Sequence, residues 1–233
     1  MRSRFSRDPR ADGVLGPQPS AVLLATQVLA VIAYPFLDGS TVGRALLGVA
    51  QIAVVGAALA AVRRTPALNW VALLVGVPAA GFTVLEALTA DVDWIVLVSA
   101  LLHAPFYFYV SYSMIRYLFH DDKVTKDELY ATGAAFTVVA WGFAYVYAAV
   151  AVLSPDSFSG GSATDGQTWF ELLYLSFSVL TSVGLSDVVP MGSHARSFVA
   201  VEMVVGVLYV ALVISRLVGL TVSRQAMKAV DKD

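Results

Sequence analysis

The chain contains no cysteine. That excludes a disulfide framework, a thiolate-held zinc and a cysteine nucleophile. Charge is nearly as scarce: only 14% of the residues are Asp, Glu, Lys or Arg, against roughly 25% in an ordinary soluble domain. A water-facing surface cannot be composed from this sequence throughout. Histidine is confined to His103, His120 and His194, too scattered for a metal-ligand cluster. No nucleophile and base pair and no phosphate-binding loop appears either, so the chain is not read as an enzyme and no organic cofactor is expected.

What the chain does have is apolar sequence. Hydrophobic residues make up 58% of it, and the mean hydropathy is +0.74. A helix crossing the hydrocarbon of a bilayer needs about 20 mostly apolar residues. Six segments meet that test between flanking charges: residues 20–37, 45–62, 68–88, 94–118, 129–153 and 197–222. The expected fold class is therefore an all-α integral membrane protein with six transmembrane helices.

The net charge of -2 says little, because in a membrane protein the placement of Lys and Arg matters more than their sum. Arg2, Arg4, Arg7 and Arg10 precede the first span, and Arg63 and Arg64 join the second to the third. Lys123 and Lys126 join the fourth to the fifth, and Arg224, Lys228 and Lys232 follow the sixth. The opposite loops hold only Arg44 and Arg196. By the positive-inside rule both termini are cytoplasmic in a multi-pass protein of the cell membrane. The Arg-rich start followed by AVLLATQVLAVIA also has the outline of a cleaved signal peptide, with small residues near Ala33 as its cleavage site.

The divisions follow from these runs. Residues 1–19 form a polar cytoplasmic lead, 20–119 a four-helix transmembrane module, 120–128 a charged linker, 129–223 a second membrane domain and 224–233 a cytoplasmic tail. Thr125 and Glu128 have the spacing of a capping box that starts the fifth helix. Gly56 and Ala60 form a small-xxx-small pair suited to close helix approach, and Pro78 and Pro105 are expected to kink the third and fourth helices.

The second domain is interrupted. After the fifth span, the turn-rich Ser154 to Gln167 carries no Lys or Arg, as suits an external loop. TWFELLYLSFSVL then supplies about a dozen apolar residues, too few to cross a bilayer, and reads as a re-entrant helix. It runs into TSVGLSDVVP. Irregular backbone at membrane depth is tolerated only where it is buried in protein or lines a water-filled cavity.

TSVGLSDVVP, followed by RSFVAVEMVVGVLYVALVISRLVGL, resembles the selectivity filter and inner helix of the tetrameric potassium channel superfamily, whose filter reads T-T-V-G-Y-G-D. The resemblance covers Leu129 onward and suggests a prokaryotic-type six-helix member with the variant filter TSVGLSD. It implies a homotetramer in membrane lipid, with one pore helix and one extended filter per chain around a central pore. It also implies potassium ions bound by the carbonyls of Ser182, Val183, Gly184 and Leu185, with the Ser182 hydroxyl contributing. Thr181 would close the pore helix, Ser186 and Asp187 would support the filter and its outer mouth, and Gly206 would be a gating hinge in the inner helix. Glu202, one turn before Gly206, would face the pore helix and brace the filter.

Three positions depart from the family pattern: Ser182 replaces Thr, Leu185 replaces Tyr, and Ser186 replaces the second Gly. If Ser186 needs positive φ, it is strained by about 1 to 3 kcal/mol. The function implied is passive, potassium-preferring conduction, with a weakly selective cation pore as the alternative. From other classes, a secondary transporter and a non-conducting membrane sensor or scaffold remain. The fourth span holds only Arg116, whereas a voltage sensor needs several regularly spaced Arg. Ordinary voltage gating is not expected. His103 and Glu86 are read as a polar pair, structural or proton-sensing, Glu171 as a carboxylate at a helix N-terminus, and Arg216 as snorkelling to the interface.

Overall fold

The computed structural model describes residues 18–37, 41–62, 69–89, 92–119, 126–161 and 166–230. The polar lead with its arginines, Arg63, Arg64, His120, Lys123, the Thr125 half of the expected capping box and Lys232 lie outside the described residues. Seven helices follow in order: α1 Pro19–Leu37, α2 Thr41–Val62, α3 Asn69–Leu88, α4 Asp93–Leu118, α5 Lys126–Leu153, α6 Trp169–Leu180 and α7 Ser193–Val230. Two short strands, β1 Phe158–Ser159 and β2 Val189–Pro190, pair antiparallel on either side of α6.

Leu-, Val- and Ala-rich runs form helices because in an apolar medium a single segment can satisfy its own backbone polar groups only as a helix. Four of them are long and apolar enough to cross a membrane: α1, α4, the Leu129–Leu153 part of α5 and the Ser193–Arg216 part of α7. The protein is an all-α membrane protein. α2 and α3 are helical where the sequence predicts, and their apolar stretches run over Leu46–Ala61 and Trp70–Glu86. α3 and α4 remain helical through Pro78 and Pro105, both on exposed faces. α7 continues as helix to Val230, through most of the stretch expected to be a tail.

The core centres on α5. The α4–α5 contact is the most extensive between helices, and α1 and α6 also pack on α5. Ala131, Ala134, Ala135, Ala140 and Ala144 are fully buried and let the neighbouring helices approach. Polar contacts fix the register. The Asp127 carboxylate accepts from the Ser20 backbone N–H at 3.3 Å and the Ser20 hydroxyl at 3.0 Å. A negative group thus caps the first turn of α1, where Pro19 leaves no N–H to satisfy. Higher up, the Thr137 hydroxyl donates to Gln27 Oε1 at 2.7 Å.

The expected close approach at Gly56 and Ala60 is not used within the protomer. Both are exposed, and a Cβ at Gly56 would meet nothing within 4 Å. The tight crossings lie elsewhere, where a Cβ would come within 2.7 Å of the Phe106 ring at Gly76 and 2.9 Å of the Phe108 ring at Gly142. Bulk on α4 is therefore matched by glycine on α3 and α5.

Candidate functional site: the segment after the short helix

α6 is a 12-residue helix with a complete capping box. Thr168 Oγ1 accepts from the Glu171 N–H at 3.3 Å, and Glu171 Oε2 accepts from the Thr168 N–H at 2.8 Å. Two of the N–H groups that a helix start leaves unpaired are thereby satisfied, which accounts for Glu171. At the other end Thr181 is the C-cap, with its N–H on the Phe177 carbonyl. Its hydroxyl reaches the same carbonyl at 2.6 Å.

Beyond Thr181 the chain leaves the helix without losing contact with it. The Ser182 N–H donates to the Val179 carbonyl at 2.9 Å, and the Val183 and Gly184 N–H groups both donate to the Ser178 carbonyl, at 3.0 and 3.1 Å. In a trans peptide the N–H and the preceding C=O point in opposite directions. The carbonyls of Thr181, Ser182 and Val183 are consequently aimed away from α6. Ser182 has φ of 60° and Gly184 of 72°, while Val183 between them stays at negative φ. This alternation turns successive peptides so that their N–H groups collect on one side.

The strain falls where the sequence did not place it. Ser186 is not in the left-handed region. Its hydroxyl instead accepts from the Val188 N–H at 3.1 Å, forming a local turn that a glycine there could not make. The strained residue with a Cβ is Ser182. Leu185 is 69% exposed and Val183 59%. Asp187 is exposed, and its carboxylate makes no hydrogen bond to α6 among the described residues. Its carbonyl lies so close to Gly160, at φ of 87°, that a Cβ there would collide with it.

The exit from the segment is clasped by backbone. Beside the β1–β2 pair, with Phe158 opposite Pro190 and Ser159 opposite Val189, the Ser157 carbonyl accepts from the N–H groups of Met191 at 2.8 Å and Gly192 at 3.1 Å.

Glu202 faces α6 as expected, although its contacts are with the helix and with α5 and not with the segment after α6. It is fully buried, with Oε1 bonded to the Ser176 hydroxyl and Oε2 to the Tyr147 hydroxyl of α5. Ser176 Oγ also reaches the Ala140 carbonyl at 2.8 Å. Gly206, one turn further on, lies where a Cβ would collide with the Leu180 carbonyl. Its observed duty is to let α7 meet the end of α6.

Tyr147 was missed in the sequence. The available signal was a phenol in an apolar span, which needs a partner once buried.

His103 and Glu86 do not touch directly; Ser99 joins them. The Ser99 hydroxyl donates to Glu86 Oε2 at 2.8 Å, His103 Nδ1 lies 2.9 Å from the Ser99 carbonyl, and Nε2 lies 3.1 Å from Thr83 Oγ1. The imidazole stacks on Tyr145 at 4.4 Å between centroids. Arg116 of α4 lies 5.8 Å from the Tyr112 ring, and Arg216 lies over Phe119 at 4.9 Å. Arg216 therefore ties α7 to the end of α4.

Residues 133–223 match a family model described as ion channel. The matched stretch is less than half of the chain and covers most of α5, all of α6, the segment after it and most of α7. It supports a passive ion channel. No curated protein and no solved structure matches.

Proposed function

We propose that four copies of this chain assemble around an axis lined by residues 181–185 and conduct potassium passively across the cell membrane. The single observation that carries the reading is the strip of carbonyls at Thr181, Ser182 and Val183, turned outward because the next N–H in each case is bonded back to α6. A dehydrated cation needs a ring of oxygens in place of its water, and such a strip from each of four copies supplies one. Gly184 and Leu185 extend the strip toward the outer mouth, where Ser186 and Asp187 stand.

The exposure of residues 181–185 in one protomer fits a surface completed by neighbours. So does the apolar exposed face of α7, with Val204, Val207 and Leu208 all more than half exposed. In this reading six helices per chain span the bilayer with both termini cytoplasmic. The first four, lacking an Arg ladder, do not form an ordinary voltage sensor.

A weakly selective pore is favoured by one observation: within the protomer Leu185 is 69% exposed and Asp187 is exposed, with no hydrogen bond from its carboxylate to α6 among the described residues. Reversal potential in a planar bilayer, with potassium on one side and sodium on the other, tests both readings. A value near the potassium equilibrium potential is expected. A value near zero with robust current establishes the weakly selective pore. Absence of current from tetrameric protein in every ionic and pH condition overturns conduction.

A further inference from the structure

The environment of Glu202 contains three close oxygen–oxygen contacts and only two hydroxyl hydrogens to fill them. Tyr147 Oη meets Oε2, Ser176 Oγ meets Oε1, and Ser176 Oγ meets the Ala140 carbonyl. A serine hydroxyl has one hydrogen and a carbonyl has none. When Ser176 gives its hydrogen to Ala140, the Oε1 contact sets two acceptors face to face unless Glu202 brings a hydrogen of its own.

Among the described residues, the surroundings offer no cation to a carboxylate. The groups facing it are Ser176 from α6 and Tyr147 and the Ala140 carbonyl from α5. On its own helix, Arg196 is about 9 Å nearer the outer end and Arg216 about 21 Å nearer the inner end, from a rise of about 1.5 Å per residue. Arg196 is bonded to the Pro190 carbonyl and Arg216 lies over Phe119. Because Glu202 has no exposed surface even in one protomer, a neighbouring copy cannot reach it. An unpaired buried charge is among the most expensive groups a protein can hold.

We propose that Glu202 is a proton-binding site: it stands as the neutral acid, donates Oε1–H to Ser176, and ties α7, α6 and α5 together through that proton. Hydrogen then runs in one sense along the chain, from Glu202 to Ser176 and from Ser176 to Ala140, with Tyr147 donating to Oε2. Loss of the proton removes the first link and leaves a charge between the helices. Ser176 lies half a turn before Ser178, whose carbonyl holds the N–H groups of Val183 and Gly184. Alkalinisation thus loosens the support of the outward-turned strip. An effect of this loosening on current rests on the channel reading; the proton and the loosening do not.

The test uses the full chain in lipid vesicles and two readouts. Infrared spectra at neutral pH are expected to show a carboxylic-acid C=O band in the wild type that is lost in Glu202→Gln, an isostere of the neutral acid. If the variant removes no such band, the proton site is overturned. Hydrogen exchange of the 179–185 amides, compared with Glu202→Gln at each pH, reads the second half without needing current. Protection in the wild type is expected to fall below that of the variant at alkaline pH. Equal protection across a pH range in which the band disappears overturns the coupling to the strip. Tyr147→Phe, which keeps the Ser176 link, is expected to retain the band.

Discussion

Gly206 of α7 lies directly against the carbonyl of Leu180, the last residue of α6. The long helix and the short one meet there through backbone, with no room for a side chain.

Gly206→Ala is therefore expected to destabilise the protein by about 1 to 3 kcal/mol, the usual cost of overpacking a tight contact. The unfolding temperature measured in detergent or lipid checks this. An unchanged temperature with reduced opening would return Gly206 to the role of a hinge alone.

Glu202→Ala leaves the Tyr147 hydroxyl without its acceptor and deprives Ser176 of its partner on α7. Leaving a buried hydroxyl unpaired costs about 1 to 3 kcal/mol, so the Ala variant is expected to be far less stable than the Gln variant. Thermal unfolding of the two side by side gives the comparison, and equal stability would remove the bracing role from this carboxyl group.

Ser182 holds a left-handed conformation that glycine adopts without penalty. Ser182→Gly is expected to stabilise the segment by about 1 kcal/mol, whereas the β-branched Ser182→Val is expected to destabilise it. Stability measured for both variants decides. If both behave alike, the backbone at this position is not under strain.

Thr168→Ala removes the hydroxyl that starts α6 and half of its capping box. A loss of about 0.5 to 2 kcal/mol is expected, with faster hydrogen exchange confined to the first turn of α6. Unchanged exchange there would mean that Glu171 alone holds the helix start.

His103→Ala opens a void against Tyr145 and leaves Thr83 without its imidazole partner. The expected result is a drop in stability of about 2 to 4 kcal/mol at every pH, as for removal of a large core side chain. A loss restricted to one side of neutrality would instead identify this imidazole as a titrating switch.

Much of this architecture was legible because lipid imposes a simple code of long apolar runs between charges. The ranges of α1 to α5 follow that code within a few residues, and the shortness of α6 follows from the Gly and Ser after it. Glu202 also announced itself, since a carboxylate in an apolar run needs a partner.

Tertiary geometry was less legible. Ser182, not Ser186, takes the left-handed conformation because the Val183 N–H must turn back to Ser178, a constraint created by the end of a helix and invisible in composition. The pairing of residues 158–159 with 189–190 joins two-residue strands, too short for any alternation. Gly56 and Ala60 have the spacing of a packing motif, yet the close approaches fall at Gly76 and Gly142, which face aromatic rings, and at Gly206, which faces a backbone carbonyl.

The clasp formed by the Ser157 carbonyl and the β1–β2 pair uses main-chain atoms only. The side chains of Ser159, Val189 and Met191 stand on its exposed surface and take no part in those bonds. Shape and outward chemistry are thus separable at this rim. Those three residues can be exchanged for charged, aromatic or bulky ones, altering what a visiting molecule meets, while Phe158, buried against Tyr147, keeps the scaffold beneath in form.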